Sequence, residues 1–192
     1  MTSKESILAA IQANKPDLLP LPEQPEFPYE SNLPEQYQKG LASNGGKARV
    51  VESLSEVRDY VQEHFRNSQM IVSLCDAVPG NFNVDMADDP HELEHVELAI
   101  LEGDWGVAEN GAIWLPEEKL HHRALPFIAQ HLIVLLKKDR LLGNMHEVYA
   151  RINVQEPGYG VFIAGPSKTA DIEQSLVIGA HGPRSMTVFL VD

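Results

Sequence analysis

Short aliphatic runs alternate along this chain with segments of helical period, and that alternation constrains the fold more than any other feature. Ala48 to Val51, Met70 to Leu74, Val96 to Leu101, Leu132 to Leu136, Val161 to Ala164 and Met186 to Val191 are four to six residues long and mostly aliphatic. Runs of that length and composition read as buried strands. Between them, Glu35 to Ser43, a segment capped by Ser53 or Ser55 and running to Phe65, His122 to Gln130, and Asn144 to Asn153 read as helices. In the second of these, Val57, Tyr60, Val61 and Phe65 recur at the spacing of one buried stripe. Asp89-Pro90 opens a further short helix. The fold expected is α/β, a mainly parallel sheet with helices on both faces.

The first 32 residues follow different rules. Thr2 to Ala13 reads as a short amphipathic helix with Ile7, Leu8 and Ile11 on one side, and Thr2 with Glu5 forms a capping box. Six prolines then fall between positions 16 and 34 (Pro16, Pro20, Pro22, Pro25, Pro28 and Pro34). That density excludes a helix or a central strand and implies an extended arm lying on a surface. Two uses stay open: packing on a neighbouring copy of the chain, giving a homo-oligomer, or a leader with no docking role. The division expected is thus 1–32 for helix and arm, and 33–192 for one α/β domain.

Charge narrows the partners. The 192 residues carry a formal net charge of −13, and between Arg66 and Lys119 there is no lysine or arginine while twelve acids accumulate. Such a field repels nucleic acid and anionic lipid. The segment is either a solvated acidic face or a docking face for a basic partner. No apolar stretch approaches the ~18 residues of a membrane span, and the amino terminus has no signal-peptide core. The lone cysteine, Cys75, leaves no internal disulfide and fits a reducing cytoplasm. It also falls short of the several thiolates that an iron–sulfur cluster needs.

Chemistry concentrates in the stretch from Gly160 to Arg184. After the run Val161 to Ala164, Gly165-Pro166 stops the strand, Ser167 and Thr169 are N-cap candidates, and Asp171 and Glu173 suit the first turn of a helix. A glycine turn between a strand end and a helix start presents free backbone N–H groups, a cradle for an anion. Lys168 adds a point charge, and a second glycine-bounded segment supplies His181, Gly182 and Arg184, the last suited to grip a carboxylate or phosphate bidentately. Earlier, Glu109-Asn110-Gly111 lies between two apolar runs and reads as a tight turn. Trp105 and Trp114 flank it, either as packing or as pocket walls that would desolvate the Glu109 carboxylate. In an open α/β sheet, ligands bind beyond the carboxyl ends of the strands. Both turns are therefore expected there, sharing one crevice for a small anionic metabolite.

Two apparent motifs point elsewhere and fail on context. His91-Glu92-Leu93-Glu94-His95 has the letters of a zinc-hydrolase helix, but it starts just after Asp89-Pro90 and a strand begins at Val96, leaving barely one turn. No metal site is expected from it. Ser167-Lys168-Thr169 echoes a phosphate loop, yet the residues before it form a strand and proline takes the place of that motif's lysine. No dinucleotide fingerprint is present, so no cofactor is encoded locally.

The stretch GPSKTADIEQSLVIGAHGPRSMTVFLVD resembles the C-terminal signature of the LUD-domain family, of the lactate utilisation protein C type. Gly106 to Ile113 is similar to that family's earlier Ala-Glu-Thr-Gly motif, with Asn110 standing at the usual threonine place. The resemblance implies a fold of the NagB, ribose-5-phosphate isomerase and CoA-transferase group. It also implies a role in oxidising lactate to pyruvate alongside iron–sulfur partner proteins, which would carry the clusters themselves. In class I CoA transferases a catalytic glutamate precedes Asn-Gly, so likeness to that group makes Glu109 a candidate nucleophile. Two alternatives accompany the anion-binding reading: a non-catalytic assembly subunit, and an acyl- or CoA-transferase acting through Glu109.

Overall fold

The run Leu132 to Leu136 lies at the centre of a five-stranded parallel sheet, which is why it carries no polar residue. A computed structural model describes every residue except 1, 21, 24, 26, 30, 87, 88, 154–157 and 170–176. In chain order its main elements are α1 (Ser3–Ala13), α2 (Leu33–Ser43), β1 (Lys47–Val50), α3 (Leu54–Phe65), β2 (Ile71–Ser73), β3 (Leu98–Glu102), β4 (Trp105–Val107) and β5 (Ala112–Pro116). There follow α4 (Leu125–Ile128), β6 (His131–Lys137), β7 (Leu141–Leu142), α5 (Met145–Tyr149), β8 (Gly160–Ile163), β9 (Lys168–Thr169), β10 (Val177–Ile178) and β11 (Ser185–Val191).

The large sheet has the order β1-β11-β6-β3-β2, every pair parallel. Side chains alternate across it. Leu132, Val134 and Leu136 of β6 join Val188 and Leu190 of β11 on one face, under Tyr37 and Leu41 of α2 and Ile113 and Leu115 of β5. Ile133, Leu135, Leu98, Ile100 and Phe189 join the opposite face, under Val57 and Val61 of α3. The fold is therefore α/β, with a central parallel sheet flanked by helices. On the α2 side the cover is completed by a second sheet of order β7-β4-β5-β8.

Several local outcomes differ from expectation. Pro34 belongs to the first turn of α2 rather than to the arm, since proline fits the start of a helix, and Asn32 Oδ1 caps that turn by accepting from Glu35 N at 3.3 Å. The expected helix from His122 to Gln130 shrinks to α4, because the chain must extend at Ala129 to enter β6. The helix from Asn144 ends at Tyr149. Val161 to Ala164 is not a buried central strand. The strand there is β8, half-buried at the rim of the small sheet and antiparallel to β5, with Phe162 opposite Trp114. Residues 90–95 form a 3-10 helix in which the His91 imidazole turns to Asp89 Oδ1 and His95 to Glu94.

No described residue of α1 is buried. The arm, by contrast, touches its own domain: Phe27 stacks on His146 of α5 with ring centroids 4.8 Å apart, and the Tyr29 ring lies against Gly143.

Candidate functional site

The Glu109 turn is the hairpin between β4 and β5. Gly111 N donates back to Val107 O at 2.9 Å, and Asn110 Oδ1 accepts from Ala112 N at 2.9 Å. Gly111 has φ of 70°, and a Cβ there would stand 2.2 Å from Leu41 N, so glycine is required both by backbone conformation and by space. Glu109 itself is exposed, and its Oε1 accepts from Met145 N at 2.8 Å. It thus caps the first turn of α5, a use that explains an acid at this position without catalysis. The two tryptophans do not wall it. Trp105 and Trp114 pair at the other end of the hairpin, where Trp114 packs on Phe162 with centroids 4.7 Å apart.

The Gly165 bend is built from similar economies. Gly165 has φ of 94°, and a Cβ would stand 2.5 Å from the main-chain O of Asn44. Its N–H donates to Met186 Sδ at 3.2 Å. Ser167 N donates to Pro183 O at 2.8 Å, and Gly179 N donates to Ser167 O at 3.0 Å. Lys168 and Thr169 do not open a helix. They form β9, antiparallel to Ile178 and Val177 of β10, while Asp171 and Glu173 lie outside the described residues. The expected anion cradle is therefore absent at Gly165 and Ser167, whose amides are spent on the protein's own acceptors.

The two bends do lie close together. Asn44 joins them: its Nδ2 donates to Asn110 O at 2.8 Å, and its main-chain O is the atom that faces Gly165. Their location, however, reverses the expectation. Asn44 to Gly46 lead into β1, Met186 is near the start of β11, and Arg184 N donates at 2.7 Å to Gln130 O, just before β6. All of this marks the amino edge of the parallel sheet. At that edge the side chains of Lys168, His181 and Arg184 are exposed, and no hydrogen bond joins them to one another among the described residues. Gly182 packs against Ser167. Nearby, burial holds the His131 imidazole below its ordinary range, and the Arg184 guanidinium adds to that effect while Glu97 opposes it.

The carboxyl edge carries a cavity with several charged side chains in its lining. A cavity of about 340 Å³ opens beyond the ends of β1, β3, β6 and β11. That volume falls at the low end of the roughly 300–1,000 Å³ typical of small-molecule sites. Leu54, Leu135 and Val191 supply apolar lining, Ser53 marks the start of the 12-residue α3, and Glu52, Glu102, Asp104, Lys119, Lys137, Arg140 and Asp192 supply the charge. Two of those acids are neutralised in place, Asp104 by Lys119 Nζ at 3.0 Å and Asp192 by Lys138. Arg140 lies with its guanidinium 4.7 Å from the centroid of the Trp105 ring, which Arg151 also approaches at 5.6 Å. The Cys75 thiol sits beside Glu102; burial, reinforced by that carboxylate against two opposing backbone hydrogen bonds, raises its pKa. Among the described residues, no three His, Cys, Asp or Glu side chains converge as metal ligands would. Sequence reasoning passed over Glu102, Lys137 and Arg140, although Glu102 and Lys137, each directly after an apolar run, were readable signs of a strand's carboxyl end.

Comparison with known proteins adds the lineage. The LUD domain profile matches residues 83–191, more than half of the chain. Lactate utilization protein C of Oceanobacillus iheyensis is 30% identical over 105 residues, which cover 52% of this chain and 45% of that protein. Its namesake from a Geobacillus species is 29% identical over 170 residues, 83% of this chain and 68% of the relative. The protein from Anoxybacillus flavithermus is 26% identical over 162 residues, with 84% and 70% covered. The chain thus spans between about half and two thirds of the length of these relatives. A crystal structure of a DUF162 family protein from Deinococcus radiodurans shares the fold, with a TM-score of 0.62 at 16% identity over 84% of this chain and 98% of the other. With its profile match running from the acidic loop to the last strand, this chain belongs to the LUD domain family.

Proposed function

We propose that the chain serves lactate utilisation, as a cytoplasmic component that binds a small organic anion and acts beside iron–sulfur partner proteins. One observation carries the reading: the family match at 83–191 takes in most of the carboxyl-edge cavity, including Glu102, Lys119, Lys137 and Arg140. A relative matched over 83% of the chain bears the name lactate utilization protein C. The side chains at that edge suit a carboxylate, since Arg140 and Lys137 have no carboxylate partner among the described residues. Binding of the anion by Lys168, His181 or Arg184 has less support, because the backbone cradle that would complete such a site is already satisfied.

The test is genetic. In a bacterium whose own lactate utilization protein C has been removed, this chain restores growth on lactate while growth on glucose is unaffected. Failure of the wild-type chain to restore growth removes the pathway assignment.

A second reading, an assembly subunit, is favoured by α1. Its Ile7, Leu8 and Ile11 are each more than half exposed (57, 55 and 55%), as an apolar helix face awaiting a partner or a second copy would be. The transferase reading loses ground, because the Glu109 carboxylate is engaged at the start of α5.

A further inference from the structure

Helix α1 is capped at its start by the box of Thr2 and Glu5, yet none of its described residues is buried. At 11 residues it is too short to be stable in water by itself, so packing against another surface has to complete it. Ile7, Leu8 and Ile11 supply an apolar stripe for that purpose. Lys4 precedes Ile7 by three residues and Lys15 follows Ile11 by four, the spacings that set helix neighbours on one side. Neither lysine makes an ion pair among the described residues. Past the helix, Leu18 and Leu19 are also exposed. Pro16, Pro20, Pro22 and Pro25 stiffen the chain that follows, which works against folding α1 back. The arm is fastened to its own domain at Phe27 and Tyr29, and residues 14–26 are long enough to carry α1 roughly 40 Å from that anchor.

A matching surface lies on the body of the same chain. Met86 is 74% exposed, and Asp85, Asp89, Glu92 and Glu94 are exposed beside it in sequence. Asp85, Asp89 and Glu94 pair with the imidazoles of His121, His91 and His95, and none of the four acids meets a lysine or arginine among the described residues. We infer that two copies of this chain exchange their amino-terminal helices. The α1 stripe of each copy seats at Met86 of the other, with Lys4 and Lys15 on the acids of residues 85–94. The inference rests on the assembly reading above and names its partner, a second copy. Charge favours contact through the helix: bodies of an acidic chain repel each other, whereas in residues 2–19 Lys4 and Lys15 balance Glu5 and Asp17. Because the exchange is reciprocal, the contact occurs twice about a two-fold axis. Ile7, Leu8, Ile11, Leu18 and Leu19, at roughly 100 Å² each, bury on the order of 1,000 Å² in all, the lower limit of a specific interface. Such a contact gives a weak dimer that salt weakens further.

The experiment is sedimentation velocity on the full chain from about 1 to about 200 μM, in about 0.05 and about 0.5 M salt. The expected result is a reversible dimer that dissociates on dilution and is several-fold weaker in the higher salt. Leu8→Gln combined with Ile11→Gln keeps helix propensity and is expected to weaken the dimer by about tenfold or more, as is Met86→Asp on the other side of the contact. Neither change should lower the melting temperature of the dilute monomer, since these side chains are exposed in the single chain. Ile11→Cys and Met86→Cys chains, mixed under mild oxidation, are expected to give a disulfide-linked dimer with one of each, in greater yield than either chain alone. Four outcomes would each overturn the inference: a monomer at every concentration, a dimer indifferent to either set of substitutions, a dimer strengthened by salt, or a less stable monomer in the Leu8→Gln, Ile11→Gln variant, which would place α1 on its own domain. A monomer leaves the assembly reading standing. That reading fails instead if the Leu8→Gln, Ile11→Gln chain restores growth on lactate as fully as the wild type.

Discussion

At the amino edge of the parallel sheet, the N–H groups of Gly165, Ser167, Gly179 and Gly111 all end on protein acceptors, and Asn44 ties two glycine bends to each other. At the carboxyl edge, Glu102, Lys137 and Arg140 line a cavity with no ion pair made by any of them among the described residues, Arg140 stacking instead on Trp105. The first edge spends its backbone amides on holding strands and hairpins in place, and leaves the side chains of Lys168, His181 and Arg184 exposed. A signature dense in glycine and polar residues therefore serves structure through its backbone here, while charged residues that follow plain apolar runs line a cavity.

The contrast between the edges breaks most visibly at Gly165. Gly165→Ala must place a methyl group 2.5 Å from Asn44 O in a left-handed conformation, and the expected cost is roughly 2–4 kcal/mol by urea denaturation. A variant of undiminished stability that fails to bind a ligand would make the bend a site after all. Next in size is Asn44→Ala, which removes the donor to Asn110 O and is expected to cost about 1–2 kcal/mol without altering lactate affinity.

The α/β class and the five strands of the large sheet were legible because each is a short aliphatic run, and both periodicities were written plainly along the chain. Glu109-Asn110-Gly111 was legible as a hairpin turn for the same local reason. The place of the signature was not, since β8 has the aliphatic composition of a central strand yet lies in the small sheet. What distinguishes it is pairing with β5, across more than forty residues of chain, which local composition does not encode. Ser167 and Thr169, read from sequence as N-cap candidates, are equally compatible with a short strand, and only the pairing of Lys168 with Ile178 decides between the two.

A smaller effect tests Glu109. Glu109→Gln keeps an acceptor for Met145 N, so stability should fall by no more than about 0.5 kcal/mol and growth on lactate should persist. Abolished growth with an unchanged melting curve would restore a catalytic carboxylate at that turn.

The smallest effect concerns His131. Burial first, then Arg184, depresses its pKa in the folded chain below the ordinary 6.5. Below about pH 6.5 the unfolded chain takes up a proton that the folded chain resists, so this group makes stability fall as pH falls. His131→Asn should flatten that acid limb, as followed by thermal unfolding from pH 7 to 5; a steeper limb would mean that the charged imidazole stabilises the fold.

The most direct measurement is a map of backbone amide shifts in a two-dimensional NMR titration with L-lactate. The account predicts that perturbed amides cluster at Glu102 to Trp105, Lys137 to Arg140, and Val191 to Asp192. Perturbations gathered instead at Gly165 to Thr169 and His181 to Arg184 would contradict it and return the ligand to the amino edge.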